Sequence, residues 1–427
     1  MTEVGALLFL YWGITGVLTL IFVPDFFSPD KFILASLGFF FGDIFFSQYD
    51  NWVVLIYFSL LTFLWWGVWI SYKFRIGSYP GYRFRPNRIS VDYRLFWILS
   101  IPPIIANVYM IYSFGGIVGY INSIAMREME FKGMGILLVF LKMFPVINLV
   151  YFCHFINQQD KSFKTKFYYI VHFTIFLILA LITTSRGSLL NNLVMMMIIY
   201  HYTVKMVSKK IILYLGIFLL GVASVLEVAR EGITFSEGQL KTGLSYEDND
   251  RKLSANWARY GTEPLEIVLS AEEISKRYGA TYLTLITNFI PRSIWAAKPD
   301  PGGVVLTKEY MDDAWGGSSY LSTGIIPEAI INFGKISGTI FGLSQFFLMI
   351  LWIMVVYHNY RIKPILGSRN FIFASVRYVY IMWATMALIV GEFTNIMMDL
   401  IIKLVFVWLI EAIAVRTGAV KILERKI

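Results

Sequence analysis

The chain has 427 residues, of which 57% are hydrophobic and only 15% charged, with a mean hydropathy of +0.63 and a formal net charge of +9. Ordinary globular domains are about 25% charged, so this composition excludes a soluble enzyme. Apolar runs recur at the roughly 20 residues that a helix needs to cross a bilayer. The predicted class is an all-α polytopic membrane protein. Its positive charge lies in short segments between apolar runs, which is a topology signal and not a nucleic-acid patch.

In chain order, candidate spans fall at 5–23, 32–47, 52–72, 95–113, 135–156, 167–184, 188–205, 211–229, 337–357, 371–390 and 396–415, about 11 transmembrane helices in all. The segment before Val23 lacks the basic region and small-residue cleavage site of a signal peptide and is read as a retained first span. The second run is short and suits a re-entrant segment. Trp65, Trp66 and Trp69 fit an interfacial aromatic belt.

Orientation follows from the basic loops. Lys73, Arg75, Arg83, Arg85, Arg88 and Arg94 crowd one connection, which places it in the cytoplasm. Counting onward, Lys161, Lys164 and Lys166, then Lys209 and Lys210, then Arg361, Lys363 and Arg369, and finally Lys421, Arg425 and Lys426 all fall on that same side. The N-terminus is then expected outside and the C-terminus inside. Three regions result: N-terminal transmembrane helices over 1–229, a large extracytoplasmic loop over 230–336, and C-terminal transmembrane helices over 337–427. The loop far exceeds the ~15 residues beyond which connections are usually functional or disordered. Within it, 265–279 (LEIVLSAEEISKRYG) reads as an amphipathic helix lying on the bundle or the membrane surface, whereas 241–254 is polar. There is no internal repeat of the kind that marks many transporters.

Motifs for metal, nucleotide or serine-hydrolase chemistry are missing from the sequence. His154, His172, His201 and His358 are scattered without zinc-site spacing, and neither a Walker loop nor a GxSxG elbow occurs. The single cysteine, Cys153, excludes an intramolecular disulfide. Candidate chemistry rests instead on outward-facing charge. Arg186, in TTSRGSLL, opens a helix, where free N–H groups and the dipole favour an anion; a headgroup anchor is the plain alternative. Arg230 stands three residues after Glu227, and Arg259 four before Glu263, so each pair suits one helix face as well as a site. Residues 288–303 read NFIPRSIWAAKPDPGG: prolines restrain a loop that carries Arg292, Trp295 and Lys298, a grip for an anionic ligand with a sugar face. Glu328 follows Pro327 near a helix start, where a carboxylate serves as dipole partner or as general base toward a hydroxyl. Lys142, Asp399 and Lys403 are ionisable groups inside predicted spans and read as structural.

The junction TSRG (184–187) and the outer-loop series YG…Y…IPRSIW…KP…G…STG…PE resemble bacterial O-antigen and capsule repeat-unit polymerases, integral-membrane glycosyltransferases of the GT-C type. In that family an R-x10-G spacing is discussed as a paired element of two outer loops; Arg292 and Gly303 fit it, whereas Arg186 meets Met197 at the corresponding place. The resemblance implies transfer of a glycan from undecaprenyl pyrophosphate to the next lipid-linked repeat unit, at the outer face of the bacterial cytoplasmic membrane. It implies no cofactor and no metal, with lipid-linked glycans as donor and acceptor, the bilayer as surroundings, and a chain-length regulator as a further partner. Arg186, Arg230, Arg259, Arg292 and Lys298 would then hold pyrophosphate, Trp295 a sugar, and Glu328 or Glu263 the acceptor hydroxyl, with Arg292 also assisting catalysis. An O-antigen ligase shares this architecture but usually depends on an outer-loop histidine, and residues 230–336 contain none. A flippase is the remaining alternative.

Overall fold

A computed structural model describes residues 1–74, 89–117, 133–158, 161–182, 186–208, 233–236, 239–242, 256–288, 294–311, 321–362 and 371–422, with isolated residues at 290, between 118 and 132 and between 209 and 221. The regular elements among the described residues are helices and two short antiparallel ribbons. Among them, six helices are long and apolar enough to cross a membrane, and the chain is a multi-pass membrane protein. They are α1 (Glu3–Phe22), α3 (Asn51–Lys73), α4 (Arg94–Ser113), α5 (Gly135–Asn157), α6 (Phe163–Ile182) and α12 (Lys335–Ile362). Thr2 caps α1 by accepting the Gly5 amide, and Asp50 caps α3 by accepting that of Trp52. Leu7, Leu10, Ile14, Val17 and Ile21 stay exposed along α1, as they would toward lipid.

The chain divides into two compact units, the first comprising Met1–Tyr82, Ala255–Pro364 and Tyr380–Ile402, the second the remainder. In the first, α1 and α3 run parallel: the Tyr11 hydroxyl bonds that of Thr62, and Phe22 packs on Tyr72. A chain with two parallel long helices in succession must return between them. The return is made by α2 (Pro29–Phe40) and a 3-10 turn, Gly42–Phe45. Twelve helical residues rise only about 18 Å, so the run expected over 32–47 is a short helix followed by a turn and not a full span. The Lys31 ammonium donates to the Thr19 carbonyl at one end, and Phe45 reaches the level of Phe9 at the other, so the return is nonetheless complete. α12 also runs parallel to α3, with Phe63 on Phe347, and the Tyr357 hydroxyl donates to buried Asp25 beyond the end of α1.

Onto the starting ends of these helices pack the short elements of the long loop: a 3-10 turn Asn256–Arg259, α8 (Thr262–Ser270), α9 (Ala280–Thr287), α10 (Gly302–Tyr310) and α11 (Ile325–Phe333). The helix expected over 265–279 therefore starts earlier and stops at Ser270. Pro264 fits its first turn, while Leu265 and Val268 are buried against neighbouring helices. α11 is buried nearly all round and turns back along α12 at Gly334, whose φ of +87° favours glycine. Gly338 lets the two helices touch, since a Cβ there would strike the Ile330 backbone.

In the second unit α4, α5, α6 and α7 (Arg186–Thr203) alternate in direction. Phe96 stacks on Tyr151, Tyr93 on Tyr168, and Asn157 meets Thr203. β1 (Ile89–Val91) pairs antiparallel with β4 (Val420–Ile422). That ribbon places Lys421 and the start of α4, with Arg94, on one side of the unit. The start of α6, with Lys164 and Lys166, lies there too, as Tyr93 on Tyr168 shows. A second ribbon joins β2 (Ile233–Ser236) to β3 (Gln239–Thr242). α13 (Phe371–Ala387) and α14 (Phe393–Arg416) each contribute residues to both units.

Candidate functional site

Glu328 sits in the first turn of α11 and is completely buried. Its Oε1 accepts the Thr281 hydroxyl at 2.8 Å, and its Oε2 accepts the Phe393 amide at 2.9 Å. Phe393 is the first residue of α14, so the carboxylate lies at the positive end of that helix. Burial pushes the Glu328 carboxyl up to about 7, against the opposing pull of the Phe393 and Thr281 hydrogen bonds. A carboxyl balanced near neutrality can exist in either protonation state at little cost, which suits proton exchange. With both oxygens engaged, it also holds three chain segments together.

Asn332, one turn further along α11, completes the network. Its amide nitrogen donates to the Thr281 hydroxyl at 2.7 Å and to the Glu328 carbonyl at 2.8 Å, and its Oδ1 accepts the Gly279 amide at 2.9 Å. This clamps a strained turn, in which Tyr278 takes φ +49° and Gly279 φ +87°. On the inner face of α9, Thr284 bonds the Thr394 hydroxyl at 2.7 Å. Gly302, at the end of the proline-pinned tract, abuts the carboxylate: a Cβ there would stand 3.0 Å from Glu328 Cγ and Cδ. The sequence separated the tract from the glutamate, and the fold brings its last residues against it.

Arg259 belongs to a second cluster in the same unit. It ion-pairs with Asp43 at 3.6 Å and with Glu266 at 3.8 Å. Glu263 is not its helical neighbour, because Arg259 ends a 3-10 turn and α8 begins only at Thr262; the expectation of one shared helix face is corrected accordingly. Asp43 also accepts the Thr262 hydroxyl at 2.8 Å and that of Tyr49. Burial and the adjacent Asp43 carboxylate push the Tyr49 phenol up to about 12, so it stays a donor. The Phe40 carbonyl accepts the Gly261 amide at 2.8 Å. The cluster fastens the long loop to the α2–α3 connection while leaving Arg259 half exposed.

Trp295 is exposed, and the Lys298 ammonium donates to the Ile290 carbonyl at 3.0 Å. Arg230 and Arg292 lie outside the described residues. Arg186 opens α7 in the second unit, and its side chain is likewise outside them. Thr281, Asn332 and Asp43 were not singled out from the sequence, since isolated polar residues carry no spacing signal.

The second unit holds a separate polar knot. His172 Nε2 lies 2.8 Å from the Ser100 hydroxyl and Nδ1 2.9 Å from the Asn148 amide nitrogen, all three residues being fully buried. The Ser100 hydroxyl also lies 2.7 Å from the Phe96 carbonyl. The knot ties α4, α5 and α6 together. Among the described residues no group of three or more His, Cys, Asp and Glu side chains could hold a metal ion.

Comparison with family models, with curated proteins and with solved structures gives no match to this chain.

Proposed function

We propose that the protein is a GT-C-like glycosyltransferase of about 11 transmembrane helices that polymerises undecaprenyl-pyrophosphate-linked repeat units into surface polysaccharide at the outer face of a bacterial cytoplasmic membrane. The observation that carries this reading is the contact between Gly302 and Glu328. It joins a tract bearing Arg292, Trp295 and Lys298 to a buried carboxyl poised near neutrality. Those groups match a reaction that must hold a pyrophosphate leaving group, stack a sugar and manage one hydroxyl proton. The parallel course of α1, α3 and α12, with the loop elements at their starting ends, is the arrangement an N-out, C-in protein with an outer active site would have.

In this reading Arg292 and Lys298 of the first unit neutralise the pyrophosphate. Arg259 either contributes there or fastens the loop, and Glu328, or alternatively Glu263, orients or deprotonates the acceptor hydroxyl. The chemistry asks for no cofactor, because the donor carries its own leaving group.

The test is the polysaccharide profile of a deletion strain carrying wild type, Arg292→Ala or Glu328→Ala at matched membrane levels. The expected result is a single surface repeat unit on deletion, a ladder with wild type, and loss of the ladder in both variants. If deletion removes even the single-unit product, the reading fails in favour of a flippase or a ligase.

A further inference from the structure

α9 is amphipathic in the opposite sense to a helix in water. Thr281, Thr284 and Thr287 form its buried face, while Leu283 (56% exposed) and Ile286 (69%) point away from the protein. A water-facing helix does the reverse, burying its apolar stripe. The inward hydroxyls of Thr281 and Thr284 are satisfied by Glu328 and Thr394, so the polarity of the interior is built into the fold. From Ala280 to Ile290 there is no charged residue, whereas Lys276 and Arg277 precede the stretch and Arg292 and Lys298 follow it.

We propose that α9 lies in the outer leaflet of the bilayer, with Leu283 and Ile286 against lipid acyl chains, so that the long loop re-enters the membrane beside α12. Depth is set by α12. The Tyr282 hydroxyl reaches the Gln345 side chain at 3.3 Å, and its ring packs on Phe333 and Phe341. Gln345 lies ten residues into α12, about 15 Å along its axis. The helix it packs on likewise exposes Ile336, Ile340 and Leu348 on the flank of a candidate span. In sequence the uncharged stretch is bounded by basic residues, the residue type that snorkels toward headgroup phosphates. This inference stands on the membrane character of the chain and on the expected N-out orientation, and does not depend on the polymerase reading.

The test is spin-label accessibility in proteoliposomes at Leu283→Cys, Ile286→Cys and the reference Leu348→Cys. Cys153 is fully buried, and unmodified protein serves as the labelling blank. The expected result is several-fold greater collision with oxygen than with a water-soluble nickel chelate at all three positions. Nickel dominating at 283 and 286 while oxygen dominates at 348 would put the face in water and overturn the proposal. Exclusion of both reagents at 283 and 286 would mean that protein, such as a second copy of the chain, covers the face, and would overturn it equally.

Discussion

Glu328 and Phe393 are far apart in the chain, yet the Glu328 Oε2 accepts the Phe393 amide at 2.9 Å. One buried carboxylate thereby sets the start of α14 against α11, and its other oxygen holds α9 through Thr281. The consequence is that stability and any proton chemistry at this position are coupled.

Replacing Glu328 separates them. In Glu328→Ala the Thr281 hydroxyl and the Phe393 amide are both left buried without this partner, a loss of about 2–4 kcal/mol. Glu328→Gln keeps one carbonyl acceptor and should lose less, about 1–2 kcal/mol. Thermal unfolding in detergent checks the order. A ladder abolished in Glu328→Gln despite near-normal melting would favour the proton role over the purely structural one.

The pH dependence follows from the same group. Its folded value, about 7, lies above its ordinary value of 4.5, so between these limits the folded state holds the proton more tightly than the unfolded state. Stability from this source is fully present below about 4.5 and is lost as pH rises to about 7, a fall of order 3 kcal/mol. Melting temperature measured across that window should decline in wild type and decline much less in Glu328→Gln.

Asn332 and Thr281 should behave as a unit. Asn332→Ala and Thr281→Val each break the 2.7 Å bond between them, so the double variant should cost less than the sum, with a coupling of about 0.5–3 kcal/mol. Additive losses in unfolding experiments would show that the two side chains act separately.

The Asp43 cluster distinguishes fastening from binding. Asp43→Ala removes the acceptor shared by Thr262, Tyr49 and Arg259 and should lower stability by about 2 kcal/mol. Arg259 is half exposed, and its solvent-screened pairs contribute only about 0–1 kcal/mol. Arg259→Ala should therefore melt almost as wild type does. If it also loses the polysaccharide ladder, the arginine handles ligand; a normal ladder would confine it to fastening.

Much of the long-helix pattern was legible from local composition. The runs at 5–23, 52–72 and 135–156 reappear as α1, α3 and α5 within two residues, because a lipid-crossing helix needs only sustained apolarity. The run at 32–47 was less legible. Its apolar residues fill a short helix and a turn, and hydropathy does not register where backbone bonding stops. The apolar pattern over 265–279 outruns the helix for a similar reason: Ile274 continues it after the backbone has left the helix at Ala271. Glu328 could be named as a candidate from its place after Pro327, but its partners could not.

Membrane character could be read from the chain alone, since it depends on the burial preference of each residue in turn. The return of α2 between parallel helices, the seat of Gly302 against Glu328 and the threonine face turned inward on α9 emerged only on folding. Each depends on two or more distant segments meeting, and a buried carboxyl acquires its raised affinity for a proton only when those segments have removed the water around it.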